Sequence, residues 1–248
     1  MFSHTFSVRL SELDINGKIQ PYHIVSYFQD TASMYLRQIG MSGFDLAESN
    51  RGWVVNAMTV LFEAPLPQWN ETVEMTTWAL NRTGVRLFRD FTAKDGKGTI
   101  LAKGTSSWVI IDESTRQPVP QEVFGDKELI TGDPILPGIR PGRFSPIPEE
   151  NRLGQSSYFW NPRTSEQDLN RHINNINYLI SCIESIPENF RAEKTLKRFD
   201  IVFKAEIYAH QQIEIRTILG ETEAVHALIR TSDGKEVCTA KTEWENCH

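Results

Sequence analysis

The sequence predicts an α+β fold made of two copies of one unit, each a helix followed by a meander of antiparallel strands. Three observations predict it. The chain repeats itself, each copy opens on an apolar helical pattern, and strand-like runs ending in an Asp-Gly hairpin follow each helix.

The repeat comes first because it fixes the boundaries. SELDINGKIQPYHIVSYFQD (Ser11 to Asp30) aligns with SEQDLNRHINNINYLISCIE (Ser165 to Glu184), 154 residues apart. Identities fall at Ser11/Ser165, Glu12/Glu166, Asp14/Asp168, Asn16/Asn170 and Ile19/Ile173. Val60-Leu61-Phe62-Glu63-Ala64 echoes Ile201-Val202-Phe203-Lys204-Ala205, and Asp95-Gly96-Lys97 echoes Asp233-Gly234-Lys235. The echoes keep their order, as a duplication requires.

In the first copy Pro21 suits the first turn of a helix. Ile24, Val25, Phe28, Ala32, Tyr35, Leu36 and Ile39 recur at helical spacing, and Gly40 suits the C-terminal cap. In the second copy Asn174 reads as an N-cap, Ile176, Leu179, Ile180 and Ile183 follow, and Pro187 ends the helix. Runs rich in Val, Ile, Thr, Phe and Trp predict strands near 53–64, 70–82, 85–95 and 99–112, then near 198–208, 211–220, 222–232 and 236–245. Asp95-Gly96 and Asp233-Gly234 are hairpin signals. Eight of the twelve prolines fall between Arg116 and Arg163, which reads as an extended linker whose aromatic end (Phe144, Tyr158, Phe159, Trp160) packs down. The expected division is therefore an N-terminal domain over 1–115, a linker over 116–160 and a C-terminal domain over 161–248.

Composition narrows the function. A hydrophobic fraction of 40% and a charged fraction of 23% belong to an ordinary globular chain. No stretch approaches the roughly 20 apolar residues of a membrane span. The formal charge of −6 argues against a nucleic-acid partner. The N-terminus lacks the basic start and apolar run of a secretory signal, and Cys182, Cys238 and Cys247 read as reduced thiols, so a cytoplasmic protein is expected. There is no Gly-x-Ser-x-Gly elbow, no His-Glu-x-x-His, no Cys-x-x-Cys and no glycine-rich phosphate loop, and no metal or cofactor is expected.

What remains is Asp168-Leu169-Asn170-Arg171-His172-Ile173-Asn174-Asn175, a polar loop running into an apolar helix. The first copy keeps Asp14 and Asn16 but carries Lys18 in place of His172 and Gln20-Pro21 in place of Asn174-Asn175. What both copies share reads as turn structure, and what the second alone carries is the better candidate for chemistry.

The string DLNRHINNINYLISCIES resembles the second-half motif of plant and bacterial acyl-ACP thioesterases, in which Asp-x-Asn-x-His-x-Asn-Asn leads into a Tyr-containing helix ending in Glu-Ser. The likeness extends to the length, the degenerate first copy, the Trp53-Val54-Val55 strand and the proline-rich stretch. It implies a tandem (double) hotdog, two long antiparallel sheets forming one continuous sheet, each wrapped around a central helix. It implies hydrolysis of fatty acyl-[acyl carrier protein], with Asp168, Asn170 and His172 catalytic and a fourth carboxylate on the following strand, which the alignment of FKAEIY places at Glu206. The plant members' cysteine has no clear match, and Cys182 reads as a core thiol.

Physically, Asp168 suits attack on the thioester carbonyl or activation of a water, and the sequence leaves both open. Asn170 suits holding that carboxylate or donating to the oxyanion. His172 suits orienting water or shuttling a proton, and Glu206 suits fixing the histidine tautomer or activating water. The helix start at Asn174 and Asn175 offers N–H groups to the thioester oxygen. Trp53, Met34, Met58 and Phe62 are candidates for lining the acyl tail in the first half. Arg191, Lys194, Lys197 and Arg198, with Arg171 near the motif, are the candidate landing surface for an acidic acyl carrier protein. A monomer or a homodimer is expected. An acyl-CoA thioesterase and a non-catalytic acyl-sensing module remain as alternatives.

Overall fold

The computed structural model describes residues 1–80, 83–124 and 127–247. The chain divides into two compact units, Met1–Arg140 and Pro141–His248.

In the N-terminal unit β1 (Phe2–Ser7) precedes helix α1 (Pro21–Gln38), and a short α2 (Gly43–Ala47) leads into β2 (Arg51–Phe62), β3 (Thr72–Ala79), β4 (Leu87–Asp95) and β5 (Ile100–Asp112). The strands lie in the order β1-β3-β4-β5-β2, antiparallel throughout. Pro21 sits in the first turn of α1, and Gly40 takes a left-handed φ of +61° just past its end. The helix buries Ile24, Val25, Tyr27, Phe28, Thr31, Ala32, Tyr35 and Leu36. Phe28 stacks on Phe91 of β4 at 4.8 Å. The ring reaches the sheet because β5 carries a glycine there: a Cβ on Gly104 would stand 3.0 Å from Phe28 Cε2.

The C-terminal unit repeats the plan with β6 (Gly154–Trp160), α3 (Asn175–Glu184), α4 (Glu188–Ala192), β7 (Lys194–Phe203), β8 (Ile213–Leu219), β9 (Glu223–Arg230) and β10 (Glu236–Asn246). Its order, β7-β10-β9-β8-β6, reproduces that of the first unit element for element. Asn174 caps α3 by accepting from Ile176 N. Pro187 is the N-cap of α4, so it separates two helices. At 10 residues α3 is far shorter than the 18-residue α1. Beneath it lies a polar core: His226 Nδ1 meets Thr217 Oγ1 at 3.0 Å and Ser185 Oγ at 3.2 Å, and its Nε2 meets Thr242 Oγ1 at 3.4 Å.

Three elements differ from the sequence expectation. β1 and β6 are not read from the sequence, yet they occupy equivalent edges, paired with β3 and β8. β6 lies inside the stretch expected as linker, and the earlier part of that stretch docks on the first unit. There Ile130 O accepts from Ala79 N at 2.8 Å and Asp133 O from Trp78 Nε1 at 2.9 Å. The strand expected over 198–208 ends at Phe203, because the ladder with β10 stops at Phe203 opposite Cys238. Glu206 therefore lies beyond the strand.

Candidate active site

The loop ahead of α3 is built by Asp168. Its Oδ1 accepts from Asn170 N at 2.8 Å and His172 N at 3.2 Å, while Asp168 N donates to His172 O at 2.8 Å. The first copy forms the same knot, with Asp14 Oδ1 accepting from Asn16 N at 2.8 Å and Lys18 N at 3.0 Å and Asp14 N donating to Lys18 O at 2.7 Å. The knot needs a left-handed residue. Gly17 supplies it at φ +72° in the first copy, and Arg171 takes the equivalent place at φ +62° in the second. The shared Asp thus shapes the loop in both copies, and His172 stands on it where the first copy has Lys18.

His172 is presented to the segment after β7. Ile173 N donates to Ile207 O at 2.8 Å, and Ile207 N donates to Tyr178 Oη at 3.0 Å. With both backbone polar atoms of the buried Ile207 held, its neighbours Glu206 and Tyr208 meet the loop. His172 Nε2 stands 3.5 Å from Glu206 Oε2, with the two side chains 18% and 29% exposed. Tyr208 Oη donates to Glu206 Oε2 at 3.3 Å, and its ring lies edge-on to the imidazole with centroids 5.1 Å apart.

The structure thus gathers Asp168, His172 and Glu206, and adds Tyr208, which the sequence reading missed. Its signal was the Glu206-x-Tyr208 spacing, which in an extended segment puts both side chains on one side. Asn170 is exposed, its backbone N–H in the Asp168 knot. Asn174 is spent as the cap of α3, and Asn175 begins the helix, half-buried. A carboxylate–imidazole pair at the positive end of a helix can move a proton and stabilise a developing oxyanion. Among the described residues no group of three His, Cys, Asp or Glu side chains is placed to hold a metal.

The other expected site residues do not form a single surface. Met58 and Phe62 are buried in the core of the first unit, Met34 is exposed, and Trp53 is half-buried with Nε1 donating to Met41 O at 2.8 Å. Trp53 lines a crevice together with Leu87, Ile110 and Phe124. The basic residues expected to greet an acidic partner are mostly engaged. Arg191 pairs with Glu184 at 2.9 Å, Lys197 with Glu245 at 2.9 Å and Arg198 with Asp200 at 2.6 Å. Lys194 donates to Asn246 Oδ1 and lies over the Phe190 ring. Arg171 is exposed beside His172. Cys182 and Cys238 are buried, and burial pushes both thiols up.

The family described as acyl-ACP thioesterase, N-terminal domain, matches residues 1–125, and its C-terminal domain matches residues 151–246. The chain is similar to a chloroplastic palmitoyl-acyl carrier protein thioesterase of Arabidopsis thaliana, 26% identical over 99% of this chain and 64% of the relative. It is also similar to a dodecanoyl-[acyl-carrier-protein] hydrolase of Cinnamomum camphora, 26% identical over 98% of this chain and 67% of the relative. The chain spans less than two thirds of the Arabidopsis protein's length. Among solved structures, an acyl-ACP thioesterase from Bacteroides thetaiotaomicron matches with a TM-score of 0.82 at 22% identity, covering 98% of this chain and 97% of that one. The 12:0-ACP thioesterase from Umbellularia californica matches with a TM-score of 0.79 at 22% identity, covering 99% and 97%. At such identity the likeness speaks for the fold, the tandem hotdog that the motif implied.

Proposed function

We propose that this chain, which belongs to the acyl-ACP thioesterase family, hydrolyses the thioester of a fatty acyl chain carried on acyl carrier protein. The observation that carries the reading is the placement of His172 Nε2 3.5 Å from Glu206 Oε2, on a loop tied by Asp168.

Glu206 accepts from the imidazole Nε2–H and fixes the tautomer, which leaves Nδ1 as the basic nitrogen. Water, deprotonated by Nδ1, adds to the thioester carbonyl, and the oxyanion is met by the N-terminal end of α3. Collapse breaks the C–S bond, the proton held by His172 passes to the departing thiolate, and the products are a free fatty acid and the carrier's thiol. Asp168 holds the loop through Oδ1, and Asn170 stands beside it as a donor to the oxyanion. Arg171 is the basic residue best placed to meet an acidic carrier.

The test is thiol release from acyl carrier proteins loaded with chains of graded length, beside the matching acyl-CoAs, with Asp168→Asn and His172→Ala as controls. Hydrolysis that prefers the carrier and collapses in both variants supports the reading. An inactive wild-type protein that still binds acyl chains would replace it with an acyl-sensing role.

A further inference from the structure

Tyr208 touches both members of the pair that carries the proposed chemistry. Its hydroxyl donates to Glu206 Oε2 at 3.3 Å, the same oxygen that stands 3.5 Å from His172 Nε2. Its ring lies edge-on to the imidazole, with centroids 5.1 Å apart and an interplanar angle of 82°.

The turn itself does not need a tyrosine there. Tyr208 is 42% exposed, and its backbone N–H is held by the Gln211 side chain at 3.0 Å. The first copy makes the same turn without the ring. Ile19 N donates to Pro67 O as Ile173 N donates to Ile207 O, and Gln68 N donates to Glu71 Oε2 at 2.7 Å as Tyr208 N donates to Gln211 Oε1. Asn70 and His210 then take left-handed φ values of +61° and +68°. In that register the first copy carries Lys18, Leu66 and Gln68 where the second carries His172, Glu206 and Tyr208. The three side chains differ together, while the backbone bonds that present them are kept.

Glu206 is also the member of the pair that most needs holding. It lies beyond the end of β7, outside the ladder with β10, and its side chain is 29% exposed. A long, flexible carboxylate with water at hand gives up conformational freedom to face one partner. The tyrosine ring is stiffer and already rests against the imidazole.

We propose that Tyr208 is a positioning residue for the hydrolysis: its hydroxyl holds the Glu206 carboxylate so that Oε2 faces His172 Nε2. The effect on rate rests on the thioesterase reading, whereas the effect on the pair rests on the geometry alone. Asp168 and Arg171 flank the imidazole on its own loop, and Lys204, ahead of Glu206, is paired with Glu236. A substitution at Tyr208 changes none of these charges.

The experiment is an NMR titration of the His172 ring in the wild type and in Tyr208→Phe, with the resonance assigned by its absence from His172→Ala, beside kcat and KM for acyl-ACP on the plateau of the pH profile. Tyr208→Phe keeps the ring and removes only the donor. A carboxylate held against an imidazole favours its charged form, so releasing the carboxylate should lower the His172 pKa by about 0.5. The kcat should fall about threefold to tenfold, with KM unchanged within about twofold. In a Glu206→Gln background the same substitution should leave the His172 pKa where it was. An unchanged or raised pKa in Tyr208→Phe, a shift that persists without the Glu206 charge, or a shift with kcat unchanged overturns the proposal. The titration needs no turnover. A wild type that shows the Glu206-dependent shift but does not hydrolyse acyl-ACP would refute the thioesterase reading, not the hold of Tyr208 on Glu206.

Discussion

Acidification should destabilise this protein through a histidine that takes no part in the proposed chemistry. His226 is fully buried among Ser185, Thr217 and Thr242, and burial pushes its pKa down from 6.5 to about 3. In the unfolded chain it titrates near its ordinary value. The folded state therefore refuses a proton that the unfolded state accepts, and the stabilisation, complete above pH 6.5, drains away as the pH falls toward 3. In that window the loss is about 1.4 kcal/mol per pH unit, or about 2 kcal/mol at pH 5. The carboxylates held below their usual range, Asp45, Asp95, Asp112, Asp233 and Glu214, also protonate in acid, so the wild-type profile alone does not isolate the effect. His226→Gln does: it keeps a polar group in the network and cannot titrate. Urea unfolding of both proteins between pH 7 and 5 should show the wild type losing about 2 kcal/mol more than the variant. Parallel profiles would refute the reasoning.

Four further outcomes are expected. His172→Ala and Glu206→Gln should each lower kcat by about 10²–10⁴ with acyl-ACP while leaving the melting temperature near that of the wild type, since both side chains are partly exposed; unchanged kcat would remove them from the chemistry. After one turnover in H₂¹⁸O, water attack leaves the label only in the released acid, whereas mass spectrometry finding it in the Asp168 carboxylate would establish a covalent anhydride. Gly104→Ala should cost about 1–3 kcal/mol, read by denaturant unfolding, because its Cβ meets the Phe28 ring held by Phe91; a neutral substitution would mean that the pair slides freely. Iodoacetamide should label the exposed Cys247 in the native protein and reach the buried Cys182 and Cys238 only on unfolding, with peptide mapping as the check.

Much of the loop that carries His172 was legible in the sequence because its causes are local. Asp168 captures backbone N–H groups two and four residues ahead, as Asp14 does, so the shared Asp reported the knot, and His172 is displayed on it where the first copy has Lys18. Pro21, Gly40 and Asn174 act within one helical turn and took the places their chemistry assigns. The helices and the inner strands followed from apolar periodicity for the same reason.

The remainder was settled by contacts distant in the chain. Six of the seven residues of β6 are exposed, so it carries no burial alternation, and it is a strand because β8 offers its edge. The meeting of Glu206 with His172 hangs on the bond from Ile173 to Ile207, and no local pattern records that register. The basic run from Arg191 to Arg198 reads as a positive patch until the fold brings Glu184, Glu245 and Asn246 against it. Arg89 looks like one more polar residue of a half-exposed strand, and only the packing of α1 over β4 seals it from water. Sequence by itself determined the duplicated unit, its turns and the loop that shows one histidine. Tertiary structure decided which carboxylate meets that histidine and which charges are balanced, because pairing across the chain depends on register and burial, and neither is a property of neighbouring residues.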